Sequence, residues 1–373
     1  MHRLNVFVLG TRGVPGIQGG VEKHCEELYP ILARSGCKVF VATRTPYVPR
    51  EKRYKRWRGV NLIHVWCPRQ RSLEAITHSL LALMVAKIKS TDILHIHSIG
   101  PALVTPVARL LGFNIVTTNH GPDYKRQKWG FLAKKILRIG EFLGIKFSDK
   151  VIVISKNIKE SLEKKYGRKD LIFIPNGVRI VNYVSSSNIL DDLNLIPRKY
   201  IFTACRFVPE KGLHDLISAY KSIKNPEFKL VIAGDADHET EYSRDLKKSV
   251  ESSRNIVMTG FLSGSLLEEL YANAGLFVLP SYYEGLPIAL LEAMSYGLPV
   301  LVSDIPQHRE INLPEFRYFP VKNVEKLAEK MIELINKGIS REEQESQLRI
   351  LEDNYNWEII AKKTLAVYES CLR

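Results

Sequence analysis

The sequence predicts an α/β chain of two successive domains, each a doubly wound parallel sheet. Three observations point there. The 373 residues exceed the size at which one hydrophobic core usually keeps growing. Short β-branched runs alternate with longer stretches of helical periodicity, the mark of βαβ units. That alternation stops at a polar stretch, residues 184–192, and then starts again.

Strand candidates in the first half are residues 4–9, 38–43, 61–65, 93–97, 114–118 and 151–154, with helical periodicity between them, as in 21–33 and 103–111. New runs follow at 200–205, 229–233, 255–259, 276–279 and 299–302. The last segment, 357–372, is an amphipathic helix with no strand after it. The expected organisation is a first domain over 1–182, a second over 193–356, and a closing helix over 357–373.

Composition is that of an ordinary globular chain, 45% apolar and 25% charged, which excludes disorder. No apolar run approaches the roughly 18 residues a membrane span needs. The N-terminal run Leu4 to Leu9 reads as a first buried strand rather than a signal peptide. Five scattered cysteines, none in metal-ligand spacing, point to a reducing cytoplasm. The charge is lopsided: residues 1–180 hold 32 Lys/Arg against 12 Asp/Glu, a net of +20, and the remainder a net of −6. The first half should therefore face an anionic partner.

The most informative passage runs from Phe277 to Met294. A buried strand ends at Pro280, a loop carries Glu284 and Gly285, and Pro287 stands where a helix would begin. A helix N-terminus offers unpaired backbone N–H groups and a partial positive charge to a phosphate. Gly285 lets a ligand approach the backbone. Eight helical residues advance about 12 Å, so Glu284 and Glu292 are expected to reach hydroxyls at the two ends of a nucleotide sugar. The plainer alternative is that both glutamates merely favour a helix start and a solvated face.

Arg206 and Lys211 lie directly after the strand 200–205, at the carboxyl end where open α/β sheets bind ligands. A guanidinium and an ammonium there suit a diphosphate; a basic surface turn is the alternative. The first βα turn, Gly10 to Glu22, is rich in glycine, including Gly19 and Gly20, but lacks a clean G-x-G-x-x-G. Strand two ends at Arg44, where a nicotinamide enzyme would place an acid for the ribose. His95 and His97 have a spacing that could ligate a metal, but buried strand histidines bonded to backbone are the favoured reading. His120 follows a strand end, where loops carry function or cap themselves. Asp235-Ala-Asp237 has the form of a metal-binding D-x-D, and reads better as a polar turn.

Together these passages resemble family four of the retaining glycosyltransferases, which share the GT-B fold. Glu284 to Glu292 match its E-x7-E string, Arg206 and Lys211 its Arg-x4-Lys-Gly pair, and Gly19-Gly20 its N-terminal glycine pair. Residues 174–178 and 302–306 also look like family strings. The resemblance spans nearly the whole chain. It implies two Rossmann-like domains facing a cleft, a donor held by the second domain, an acceptor side in the first, and a closing helix packed back on the first.

Carried over by position, Arg206 and Lys211 stabilise the departing diphosphate and His120 lies by the reacting carbon. Glu284 contacts the sugar, Gly285, Leu286 and Pro287 offer backbone to the donor, and Glu292 holds the ribose. The donor implied is a nucleotide-diphosphate sugar, a UDP-sugar first, with neither a metal nor another cofactor. The chain departs from the pattern at Cys205, usually glycine, and at Asp237, often proline. The opening Gly-Thr-Arg-Gly-Val-Pro-Gly looks like a subgroup linked to bacterial surface polysaccharide.

Residues 125–150 interleave Phe131, Leu132, Ile136, Leu137 and Ile139 with Lys134, Lys135 and Arg138, as in an interfacial helix on an anionic membrane. Residues 52–58 add a basic cluster with Tyr54 and Trp57. A core-facing helix with a solvated basic side is the alternative. The expected partners are thus a sugar nucleotide, a glycan or lipid-linked acceptor and the inner face of the cell membrane, with no nucleic acid. Two other readings stand beside this one: a nucleotide-sugar epimerase or phosphorylase on the same fold, or a non-catalytic polyanion-binding protein.

Overall fold

In the computed structural model, which describes residues 3–372 apart from 71–72, 126–129, 182–187 and 225, the chain divides into two compact units. The first comprises Met1–Asn176 with Trp357–Arg373, the second Gly177–Asn356. The first unit thus ends at Asn176 rather than at residue 182.

The first unit is built on eight strands: β1 (Asn5–Leu9), β2 (Lys38–Arg44), β3 (Arg56–Trp57), β4 (Val60–Val65), β5 (Ile93–His97), β6 (Asn114–Asn119), β7 (Lys150–Val153) and β8 (Ile172–Phe173). They lie in the order β3-β4-β2-β1-β5-β6-β7-β8, parallel throughout except for β3 against β4. Strand β1 is buried on both faces from Val6 to Leu9, as a central parallel strand must be. Val8 pairs with Val41 on one side and His95 on the other. The two-residue strands β3 and β8 are too short to leave a periodic signal.

The helix Gly20–Arg34 turns Cys25, Leu28, Tyr29 and Leu32 onto this sheet. The C-terminal helix Trp357–Cys371 joins the same core through Trp357, Ile360, Ala361 and Tyr368. The helix Phe131–Phe147 approaches the chain at residues 99–102 closely because it carries glycine there. A Cβ on Gly140 would stand 2.1 Å from the Ile99 carbonyl oxygen, and one on Gly144 would stand 2.9 Å from Ala102 Cβ.

The second unit holds β9 (Tyr200–Ala204), β10 (Lys229–Ala233), β11 (Ile256–Gly260), β12 (Leu276–Leu279), β13 (Val300–Ser303) and β14 (Tyr318–Phe319), all parallel, in the order β11-β10-β9-β12-β13-β14. Strand order reverses between β1 and β5 in the first unit and between β9 and β12 in the second. At such switch points the loops leaving neighbouring strands diverge and open a crevice.

All five cysteines are free thiols. Among the described residues no helix is long and apolar enough to cross a membrane, and no group of three or more His, Cys, Asp or Glu could hold a metal ion.

Candidate active site

In the second unit, the residues expected to bind donor gather at the β9/β12 switch point. The loop after β9 carries Arg206 and Lys211, and the loop after β12 carries Glu284 to Pro287. They are locked by a close approach: Gly212 adopts φ +63°, and a Cβ there would stand 2.3 Å from the Pro280 carbonyl oxygen. The Tyr282 N–H donates to the Glu210 carbonyl at 2.8 Å, the second stitch between the loops.

Lys211 Nζ donates to Glu284 Oε1, and Ser281 Oγ donates to the same oxygen at 2.6 Å. Their side chains are 16% and 8% exposed. Burial works to raise the Glu284 carboxyl, but the Lys211 ammonium outweighs it and holds the group below the usual carboxylate range. Behind Ser281, Ser303 Oγ donates to the Ser281 carbonyl, and His308 Nδ1 bonds the Ser303 carbonyl at 2.8 Å. Burial keeps His308 neutral, with its pKa pushed down to about 4. Ser303 falls within the string 302–306 that looks like a family string, but the sequence singles out neither Ser303 nor His308 for this support.

Arg206 takes a different partner. Its Nη1 donates to Asp237 Oδ2 at 2.9 Å, while Lys247 pairs with Asp235 at 2.8 Å. The D-x-D stretch is therefore a pair of ion-paired acids following β10. Gly234 supports the turn: at φ +127°, a Cβ would lie 1.9 Å from the Cys205 carbonyl oxygen.

Glu284 lies in a loop, as expected, but the eight residues from it to Glu292 are not one helical run. The helix is Ile288–Ser295, with Pro287 as its N-cap, so Glu284 lies in the preceding loop and only Glu292 is helical. Proline restricts the residue before it to extended backbone, which forbids carrying the helix back to Glu284. The first N–H groups of the helix, from Ile288 and Ala289, have no partner within it. Tyr271 Oη donates to Glu292 Oε2 at 3.3 Å, and the Tyr271 and Tyr296 rings stack with centroids 5.5 Å apart.

In the first unit, Gly19 precedes the helix Gly20–Arg34, and its glycine is required by the loop itself. A Cβ there would lie 2.0 Å from Glu22 Oε2 and 2.6 Å from Arg12 Nη2. The Arg12 N–H donates to Glu22 Oε1 at 2.9 Å and its guanidinium clasps the same carboxylate. Burial favours a neutral Glu22, yet Arg12 prevails and the carboxyl lies below its ordinary value. At Gly20 a Cβ would meet open space, so this is the position of the pair where the backbone is bare.

His120, half-buried after β6, is bonded through Nε2 to His97 Nδ1 at 2.9 Å. His95 and His97 differ from expectation: side chains, not backbone, satisfy them. Tyr29 Oη contacts both rings, and Tyr368 Oη and Thr118 Oγ1 complete His95.

Of the expected membrane residues, Leu137 is buried, and Trp57 packs from β3 against the core that holds Leu28, Leu32 and Val60. Phe131, Leu132, Ile136, Ile139 and also Phe142 stay exposed on the helix Phe131–Phe147, Phe131 at 85%. Residues 126–129 of that segment lie outside the described residues.

Residues 18–181 match the family described as glycosyltransferase family 4, and residues 191–350 that of glycosyl transferases group 1. An uncharacterised glycosyltransferase of Methanocaldococcus jannaschii is 28% identical, covering 95% of each chain. The UDP-Gal:α-D-GlcNAc-diphosphoundecaprenol α-1,3-galactosyltransferase of Escherichia coli is 30% identical over 65% of this chain and 66% of its own. HepE of Anabaena, solved in complex with UDP-glucose, has the same fold: TM-score 0.80 over 99% of this chain and 100% of its own, at 17% identity. Fold and sequence together define a glycosyltransferase of the GT-B class. The chain belongs to glycosyltransferase family four.

Proposed function

We propose that the chain transfers a sugar, with retention, from a UDP-sugar to a lipid-linked or glycan acceptor in cell-surface polysaccharide synthesis, at the inner face of the membrane and without a metal. One observation carries the donor half. Two cations, Arg206 and Lys211, converge at the β9/β12 switch point with the backbone that opens the helix Ile288–Ser295. In the transfer the bond from the anomeric carbon to the diphosphate oxygen breaks, and the acceptor oxygen bonds that carbon. The acceptor's proton leaves on the diphosphate. Two fixed cations stabilise the charge that develops on that leaving group. In the second unit Glu284 contacts the sugar and Glu292 the ribose; the first unit's own functional candidates, carried over by resemblance, are Gly19, Gly20 and His120.

The relatives support the substrate classes: one acts on a UDP-sugar and a diphosphoundecaprenol-linked acceptor, and another binds UDP-glucose. The exposed apolar residues of the helix Phe131–Phe147, interleaved with Lys134, Lys135 and Arg138, support membrane contact.

A melting screen against UDP, GDP, dTDP, ADP, NAD and their sugar conjugates, with and without magnesium, tests the donor. A ligand at 100 times its Kd adds about 2.7 kcal/mol of stability. A selective, magnesium-independent shift with UDP species is expected; a shift with NAD alone overturns the reading. Anomeric NMR of the product tests retention. UDP release with an epimerised sugar in the absence of acceptor would mark an epimerase instead.

A further inference from the structure

Strands β10, β9 and β12 are neighbours in the sheet of the second unit, and a chain of side chains laces together the segments that follow them. Tyr242 comes from the helix Glu241–Val250 after β10. His214 and Asp215 come from the first turn of the helix Leu213–Ser222 after β9, and Tyr282 comes from the loop after β12. Tyr242 Oη lies 3.1 Å from His214 Nδ1, and His214 Nε2 lies 2.9 Å from Tyr282 Oη. Tyr282 Oη donates to Asp215 Oδ2 at 2.6 Å. Both phenol rings stand edge-on to the imidazole, with centroids 5.7 and 5.8 Å away. The Tyr282 ring also lies against Gly212, where a Cβ would come within 3.3 Å of Cε1, and Lys322 Nζ stands 5.1 Å from its centroid.

Proton counting gives the chain one direction. A carboxylate only accepts, so the Tyr282 O–H is committed to Asp215 and its oxygen can only accept from the imidazole. A neutral His214 therefore carries its proton on Nε2 and offers Nδ1 to the Tyr242 O–H. Three protons make three hydrogen bonds, from Tyr242 to His214 to Tyr282 to Asp215, with none left over and none supplied from outside. Burial, joined at Tyr282 by the bond to Asp215, raises both phenols above their ordinary value, so both keep the protons that the count requires. His214 Nε2 stands 3.6 Å from Asp215 Oδ1, too far for a hydrogen bond, so Tyr282 is the link between them.

We propose that Tyr282 and His214 are positioning residues for Glu284, holding the loop after β12 against the segment after β9 once a sugar nucleotide has opened the Lys211–Glu284 ion pair. This rests on the reading of Lys211 as a ligand of the diphosphate and Glu284 as a ligand of the sugar. In the unliganded chain that ion pair is itself a tie between the two loops. A diphosphate on Lys211 and a sugar hydroxyl on Glu284 each take one half of it away. The chain from Tyr242 to Asp215 shares no group with the ion pair, so it survives the exchange, and it is attached two residues before Glu284. The backbone N–H of Tyr282 fixes one end of that residue on Glu210, and the phenol fixes the other on His214 and Asp215. A carboxylate that must meet a sugar hydroxyl has to be held within about 0.5 Å by such supporting bonds. UDP alone makes no use of Glu284, so the chain matters for the sugar and not for the nucleotide.

The test is calorimetric titration of the full chain with UDP and with the UDP-sugar that gives the largest melting shift. The variants are Tyr282→Phe, His214→Ala, His214→Gln, Glu284→Gln, and Tyr282→Phe combined with Glu284→Gln. The quantity read is the affinity for the UDP-sugar divided by that for UDP. Tyr282→Phe deletes the hydroxyl that joins His214 to Asp215. It should lower this ratio about threefold to tenfold, the scale of one hydrogen bond, with UDP affinity within about twofold of wild type. His214→Ala should lower the ratio in the same way, and His214→Gln, whose amide N–H replaces Nε2–H toward Tyr282, should restore it. In the Glu284→Gln background Tyr282→Phe should lower the ratio no further, because it acts through that carboxylate. An unchanged ratio in Tyr282→Phe, with the ratio lowered in Glu284→Gln, overturns the positioning role and leaves the role of Glu284 standing. Equal loss of UDP and UDP-sugar affinity in Tyr282→Phe, or a further drop in the double variant, assigns the chain a packing role and refutes the proposal. A ratio unmoved by Glu284→Gln overturns the reading of Glu284 itself, and the proposal with it.

Discussion

Replacing Lys211 with methionine leaves the Glu284 carboxylate buried with the Ser281 hydroxyl but without its cation. Stripping one member from a buried ion pair costs about 3–5 kcal/mol. Lys211 and Glu284 are 16% and 8% exposed, so the lower end, about 3 kcal/mol, applies. A domain of this size loses about 2–4 °C of Tm per kcal/mol. The transition of the second unit should therefore fall by about 6–12 °C at pH 7 in scanning calorimetry without nucleotide, and the UDP-induced shift should vanish with it.

The second substitution isolates the cause. Lys211→Met with Glu284→Gln removes the orphaned charge and should recover most of the lost stability, although not nucleotide binding. The pH dependence should also change sign at this residue. In wild type the depressed Glu284 stabilises above its unfolded value near 4.5 and loses that contribution as pH falls through the folded one. With Lys211 gone, burial raises the carboxyl, so Lys211→Met should gain stability relative to wild type as pH falls toward 5. If the double variant melts no higher than Lys211→Met, the orphaned-charge reasoning is wrong.

Three further outcomes are expected. Asp237→Asn frees Arg206 from a competing carboxylate in a pair about as buried as Lys211–Glu284, and should tighten UDP binding while costing the unliganded unit about 3 kcal/mol; calorimetric titration showing weaker binding refutes this. Gly212→Ala puts a methyl against the Pro280 carbonyl at a left-handed position, and should cost at least about 2 kcal/mol, read as lowered Tm and loss of the UDP shift. Four buried histidines, His24, His78, His95 and His308, are held neutral at about 4, 3, 3 and 4. Unfolding lets each bind a proton below about 6.5, so stability rises with pH in that window and each costs about 1 kcal/mol by pH 5.5; a Tm flat from pH 7 to 5 would contradict it.

What was legible in the sequence follows from how strongly each feature is patterned. The central strands are buried on both faces and therefore run as apolar blocks; β5, β10 and β12 fall where those blocks predict. The edge strands β3, β8 and β14 are two residues long and leave no period. The proposed donor residues were visible because a switch point that binds a ligand favours glycine, proline and cations close to strand ends. The partners were not. Asp237 sits 31 residues from Arg206 and Glu284 is 73 from Lys211, and no local rule joins such positions before the sheet order is known. The same holds for Tyr368 on His95, 273 residues away. Their side-chain bonding also explains why the expected backbone partners of His95 and His97 were wrong: the backbone of a central strand is already committed to its sheet neighbours.

These long-range pairings bear on how the donor site treats charge. Each cation that the proposed function assigns to the leaving group rests on a carboxylate of this chain, Arg206 on Asp237 and Lys211 on Glu284. The carboxylates hold the guanidinium and the ammonium in place, so little side-chain freedom remains to be lost on binding. They also set a threshold. A ligand with a single phosphate group competes with a fixed acid at whichever cation it reaches and leaves the other ion pair in place. A diphosphate engages both cations at once, and can draw on the backbone N–H groups that open the helix Ile288–Ser295. The two ion pairs therefore favour a diphosphate over a monophosphate through the cost of displacement as well as through contact. That preference should shrink when Asp237 is made neutral, because one of the two competitors is then gone.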